Sequence, residues 1–187
     1  MSPLGSLLVI LGIRYNIIVL AAEENTYMKV HILSAAGSGK TEISAFDQAL
    51  YNSGVHNFNL IPLSSVIPPG AEIVENINLH VSDDFWGDKL YCVISRHLTS
   101  VFGEQAWAGI GWIQTPDGRG LFVEHHGESE STVRKLIDNS LSDMVKYRDW
   151  EFGPIHYAVS GIECIDKPVC ALVIAAYQHQ GWQDIEL

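Results

Sequence analysis

From Met28 onward the chain carries eight apolar segments of strand character and only two of helical spacing, and this ratio restricts the fold more than any other feature. The strand segments are 29–34, 58–63, 71–81, 89–99, 106–114, 120–126, 155–163 and 169–177. Turn residues punctuate them at Pro68-Pro69-Gly70 and at Asp117-Gly118, the second predicting a hairpin. Helical spacing predicts 44–53, where Phe46, Ala49 and Leu50 share one face and Gly54 marks the stop. It also predicts 131–147, where Val133, Leu136, Ile137, Leu141, Met144 and Val145 recur behind acidic Glu128 and Glu130. Sheets and amphipathic helices must bury their apolar faces against another layer. The expected fold is therefore α+β, an αββα-type sandwich of mainly antiparallel sheets covered by helices. Without internal repeats, low-complexity tracts or long linkers, residues 28–187 read as a single domain.

Composition narrows the function classes. Apolar residues make up 47% and charged residues only 18%, below the roughly 25% charged of an average soluble domain. This argues against disorder and suggests that some apolar surface is buried between subunits. Eleven Lys and Arg against 22 Asp and Glu leave a net charge of −11. Such a field repels phosphate backbones, so nucleic acid is not an expected partner, whereas a cationic small molecule or basic partner fits. Cys92, Cys164 and Cys170 lack metal or disulfide spacing and lie in apolar runs, as buried thiols of a reducing compartment do.

Residues 1–27 need their own reading. Leu7 to Ile13 and Ile17 to Ala22 are apolar, but Arg14 and Asn16 interrupt them. The basic start of a signal peptide is missing from Met1 to Ser6, and Arg14 would sit in the middle of a spanning helix. The expectation is an extension outside the fold, or a mis-assigned start with Met28 as the true one. An inefficient signal or anchor is the lesser alternative; no membrane partner and a cytoplasmic location are the expectation.

Ser34-Ala35-Ala36-Gly37-Ser38-Gly39-Lys40-Thr41 has the outline of a phosphate-binding loop, with a strand before it and a helix after. Ser34 stands where the first glycine of that loop must turn, and no strand-terminal Asp for magnesium follows. The plainer expectation is a flexible Gly-rich connection with Lys40 in solvent. Glu124-His125-His126 invites a metal reading, but neighbours on a strand point to opposite faces, so the two histidines do not share an ion. Glu124 and His126 share a face, and no metal is expected. Asp47, three residues after Ser44, reads on its own as a capping residue that complements the helix dipole. By composition alone, Ser64-Ser65 is a polar turn after a strand.

Three blocks together change that reading. They are Glu42-Ile43-Ser44-Ala45-Phe46-Asp47-Gln48-Ala49-Leu50, Asn57-Phe58-Asn59-Leu60, and Leu63-Ser64-Ser65-Val66-Ile67-Pro68-Pro69-Gly70 running on to Val74. With Gly120 to Gly127, the 131–147 helix, Trp150-Glu151 and Cys170 to Tyr177, the sequence resembles the pyruvoyl-dependent arginine decarboxylases over 29–177. The resemblance implies self-cleavage between Ser64 and Ser65, with Ser65 converted into a covalent pyruvoyl cofactor in place of pyridoxal phosphate. It implies decarboxylation of L-arginine to agmatine, with the pyruvoyl ketone and amide acting as electron sink. Position by position, Glu124 matches the proton donor and Asn59 an active-site asparagine. Asp47 matches the acidic residue that holds the guanidinium, and Ser64 still lines the site after cleavage. It further implies a homo-oligomer, a trimer or a dimer of trimers, with Asp47 and Glu124 meeting Ser65 of different chains. Two alternatives stay open at this point. One is a non-catalytic relative that binds a cationic metabolite or serves as a structural subunit; the other is a nucleotide hydrolase built on 34–41.

Overall fold

The computed structural model describes residues 28–76 and 79–182; residues 1–27, expected to be an extension, lie outside these. The described elements run β1 (Lys29–Ser38), α1 (Glu42–Ser53), β2 (Asn59–Pro62), β3 (Val66–Ile67), β4 (Glu72–Asn76), β5 (Lys89–Thr99), β6 (Gln105–Gln114), β7 (Gly120–Gly127), α2 (Glu130–Met144), β8 (His156–Glu163) and β9 (Val169–Gln180). Single 3-10 turns lie at Asp83–Phe85 and Val145–Tyr147.

Two sheets form, with strand orders β2-β5-β9-β1-β4 and β3-β7-β6-β8. The β1/β4 and β2/β5 pairs are parallel and the others antiparallel. The inner layer joins Val30, Ile32, Val93, Val173 and Ala175 of the first sheet to Ile110, Trp112 and Phe122 of the second. On the outer side of the first sheet, Ala45, Ala49 and Leu50 of α1 cover Leu33, Leu172 and Ile174. On the outer side of the second, Val133, Ile137 and Leu141 of α2 cover Ile113, Leu121 and Val123. The protein is thus an α+β sandwich in the order helix, sheet, sheet, helix. β9 explains its own position, since its apolar run from Val169 to Ala176 is buried on both faces between β5 and β1. Each fully buried Val, Leu or Ile there contributes about 1.5–3 kcal/mol.

The Gly-rich segment is where sequence and structure differ most. β1 does not stop at Ser34 but runs to Ser38, with Ala35 to Ser38 paired to Leu172 to Val169 of β9. A Cβ on Gly37 would collide with the backbone of Ala45 and Ala49, and one on Gly39 with Ser44. These glycines let α1 lie close on β1. They are a packing device rather than a flexible connection, although Lys40 is exposed as expected. α1 begins at Glu42, two residues earlier than its periodicity suggests, because Thr41 caps it. Thr41 Oγ1 accepts from Ser44 N, and Ser44 Oγ accepts from Thr41 N. That reciprocal cap engages the backbone donors a phosphate would need. Asp47 lies in the second turn, so it is not the cap.

Elsewhere the differences lie at segment ends. Among the described residues of the 71–81 segment, the strand is Glu72–Asn76, the stretch that pairs with Lys29 to Leu33. α2 gives way to a 3-10 turn at Val145. β9 continues to Gln180, paired with Lys89 of β5. The Asp117-Gly118 hairpin forms as expected between β6 and β7, with Gly118 at φ 85° and Asp117 O accepting from Gly70 N.

Candidate active site

The chain changes sheets at Ser64-Ser65. β2 runs parallel to β5 in the first sheet, and Leu63 N continues the pairing by donating to Cys92 O at 2.9 Å. Val66 and Ile67 are already in the second sheet, opposite Leu121 and Gly120 of β7. Pro68-Pro69 cut β3 to two residues, since proline cannot donate to a ladder. The crossing therefore has two residues in which to turn.

Ser65 absorbs the turn. Its φ is 66°, the only positive value at a non-glycine residue among those described. That conformation costs an L-residue about 1–2 kcal/mol, and neighbouring bonds hold it. Ser65 O accepts from Phe122 N at 2.8 Å, and Ser65 Oγ donates to Glu124 Oε1 at 2.7 Å. One residue on, Val66 O accepts from the Tyr177 hydroxyl at 2.9 Å. The serine is fixed by its carbonyl and its side chain to the same strand, β7.

Glu124 is partly buried on the inner face of β7, alongside Phe122 and near Tyr177. Tyr177 comes from β9, in the other sheet. Burial, and then the Glu124 charge, push its phenol well above the ordinary range, so it stays a neutral donor. Sequence reasoning missed this residue. The available signal was an aromatic side chain with a polar tip ending the apolar run of β9. The two histidines that follow diverge as strand geometry requires. His125 Nε2 lies 2.8 Å from Ser140 Oγ of α2, whereas the His126 ring approaches that of His97 at 5.2 Å. Among the described residues no group of three or more His, Cys, Asp or Glu is placed to hold a metal ion.

The other expected site residues are placed differently. Asn59 opens β2 and is exposed; its Nδ2 donates to Gly87 O at 2.6 Å, and its backbone N to Asp88 O at 2.8 Å. Asp47 is exposed on α1, on the far side of the first sheet from the inner face that carries Glu124. Ser64, beside Ser65, is exposed. The fold thus brings Ser64, Ser65 and Glu124 together, and leaves Asp47 in the outer layer of the same chain. The cysteines are buried, and burial pushes the Cys92 thiol up to about 12 and the Cys170 thiol to about 11, which makes them poor nucleophiles.

The family model for pyruvoyl-dependent arginine decarboxylase matches residues 29–180, nearly all of the described fold. The chain belongs to that family. It is 34% identical over 151 residues to pyruvoyl-dependent arginine decarboxylase 1 of Archaeoglobus fulgidus, an alignment covering 79% of this chain and 94% of that one. It is 31% identical over 157 residues to the pyruvoyl-dependent arginine decarboxylase of Thermococcus kodakarensis, covering 80% and 94% respectively. The same identity extends over 159 residues of the pyruvoyl-dependent arginine decarboxylase of Methanocaldococcus jannaschii, covering 81% and 90%. The group in the family's name suits the site's own atoms. Ser65, with its hydroxyl held by Glu124 and directly after the exposed Ser64, has the side-chain and backbone atoms from which a chain-derived pyruvoyl group can be made.

Proposed function

We propose that this chain cleaves itself between Ser64 and Ser65 and then decarboxylates L-arginine to agmatine and CO2 at the end that Ser65 becomes. The observation that carries the reading is Ser65 itself, strained at φ 66° and pinned through Oγ to Glu124 at the sheet crossover. Strain in a peptide that is to be broken is released along the reaction, and a fixed nucleophile has less freedom to lose.

In the first step Ser65 Oγ attacks the Ser64 carbonyl carbon; the C–O ester bond forms, the C–N amide bond breaks, and Ser65 N takes up the proton. Loss of the Ser65 Cα proton with rupture of the Cβ–O bond releases the Ser64 carboxylate and leaves dehydroalanine. Water then replaces the nitrogen, which departs as ammonia, and residue 65 carries the ketone. When present, that pyruvoyl group binds the substrate amine and withdraws the electron pair left by CO2.

The remaining work falls to side chains. Glu124, within hydrogen-bond reach of the Ser65 side chain, delivers a proton to the carbon that has lost CO2. Asn59 has one amide N–H on Gly87 O and a second available to donate to developing negative charge. The two oxygens of Asp47 suit the planar fork of a guanidinium. Because Asp47 lies on the opposite side of the first sheet from Glu124, a site that uses both draws them from two copies of the chain. A homo-oligomer, trimer or dimer of trimers, meets that requirement, and the chain's sparse charge is compatible with it.

The test is an intact mass of the purified protein, followed by CO2 release from arginine, lysine and ornithine. The reading expects pieces ending at Ser64 and beginning at residue 65, and preference for arginine. A chain that stays whole on prolonged incubation, or one that is cut but releases no CO2, would overturn it.

A further inference from the structure

Trp182 lies two residues beyond the stretch that the family model matches, and its side chain reaches back to the carbonyl that holds Asn59. Trp182 Nε1 donates to Gly87 O at 2.8 Å, and Asn59 Nδ2 donates to the same oxygen at 2.6 Å. A carbonyl oxygen has two lone pairs, so these two donors complete its acceptor capacity. The Lys89 ammonium packs over the indole at 4.6 Å from its centre and keeps the ring in place although Trp182 is 66% exposed.

The turn that presents this carbonyl is built to be aimed. Gly87 has φ 85°, and a Cβ there would meet nothing within 4 Å, so backbone conformation rather than space requires the glycine. Gly87 N donates to Asn57 O at 2.7 Å, and Asn59 N donates to Asp88 O at 2.8 Å, which stitches the turn to β2 on both sides of Phe58. The end of β9 supports it from behind. His179 packs on Phe85 with ring centres 4.3 Å apart, and Gln180 Oε1 accepts from the Tyr91 hydroxyl at 2.7 Å. Residues 178–182 therefore form a strap from β9 over the turn that orients a site residue.

We propose that Trp182 is a positioning residue for the active site. By occupying one lone pair of Gly87 O and excluding water from it, the indole N–H directs the other lone pair at the Asn59 amide. The second Asn59 N–H then has one direction rather than several. The proposal rests on the role given to Asn59 above, and the experiment separates the two.

Precursor made by cell-free synthesis is followed for self-cleavage, and the processed enzyme is assayed for kcat and KM with arginine. The variants are Trp182→Phe, which keeps an aromatic ring for Lys89 but removes the donor, Asn59→Ala, and the double variant. Loss of one neutral hydrogen bond from an aligned group predicts a fall of about 3- to 10-fold in Trp182→Phe. It should appear in whichever step Asn59→Ala slows most, with KM within about twofold and an unchanged melting temperature, as expected for a group acting through alignment. In the Asn59→Ala background, Trp182→Phe should change nothing further. A wild-type rate in Trp182→Phe, or the same loss with and without Asn59, overturns the proposal while leaving the role of Asn59 intact. If Asn59→Ala itself cleaves and turns over normally, the role given to Asn59 falls and the proposal with it.

Discussion

Replacing Ser65 with glycine and with alanine separates the strain at the crossover from the chemistry of its hydroxyl. Both variants lose the 2.7 Å bond to Glu124, so that loss cancels when one is compared with the other. At φ 66° alanine keeps the left-handed penalty of about 1–2 kcal/mol, while glycine escapes it but loses about 0.5–1 kcal/mol more backbone entropy on folding. The difference leaves glycine the more stable by about 0.5–1 kcal/mol, whereas at an ordinary φ the same exchange would favour alanine by a similar amount. The sign is therefore diagnostic. In a domain of this size about 1 kcal/mol shifts the melting temperature by roughly 2–4 °C, so the glycine variant should melt about 1–4 °C higher. Neither variant carries the attacking oxygen, so both should remain whole by mass and be compared at equal concentration as intact chains. An alanine variant as stable as the glycine variant would refute the strain argument. Fragments 1–64 and 65–187 from either one would show that Ser65 is not the nucleophile.

Glu124→Gln keeps a hydrogen-bonding group but cannot deliver an acidic proton, so kcat for arginine should fall by about 10²-fold or more; near-normal turnover of fully processed variant would remove Glu124 from that role. Asp47→Asn preserves shape without the ion pair and should raise KM for arginine more than it lowers kcat, with equal use of lysine by the wild type counting against guanidinium recognition. Burial is the largest influence on His125 and holds its imidazole below the ordinary value of 6.5. The unfolded chain then binds the extra proton first, so this group's contribution to stability is present above about pH 6.5 and lost as pH falls through the lower folded value. Urea midpoints at pH 7.5 and 5.5 should differ less in His125→Gln than in the wild type, and an identical loss in both would assign the acid sensitivity to other groups.

Much of the fold was legible because its strands are bounded by strong local signals. Asp117-Gly118 makes the hairpin its chemistry demands, and the 131–147 periodicity marks the face that α2 buries. The Gly-rich segment failed for a specific reason. A glycine that relieves a turn and a glycine that admits a helix look the same in sequence, and only the collision of a Gly37 Cβ with the α1 backbone tells them apart. Serine at the third position of α1 likewise read as the start of the helix, whereas it completes a cap begun at Thr41.

The site divides along the same line. Ser64, Ser65 and Glu124 were legible as residue types in a long block, yet nothing local indicates that a hydroxyl and a carboxylate 59 positions apart come within 2.7 Å. That contact follows from β3 pairing with β7, and it needs the chain to leave one sheet and enter the other within two residues. Leu63 N stays paired to Cys92 O on the β2 side, and Pro68-Pro69, which cannot donate to a ladder, end β3 directly after Ile67, so the turn is confined to Ser64 and Ser65. Phe122 N holds the Ser65 carbonyl on one side and the Tyr177 hydroxyl holds the Val66 carbonyl on the other. With both carbonyls held and Leu63 N held on Cys92 O, the unrestrained part of the crossover is Ser64 and the peptide bond before Ser65. The local rule that is broken, a positive φ at a residue other than glycine, thus falls at the bond assigned to be cut, where its release can serve the reaction rather than merely weaken the fold.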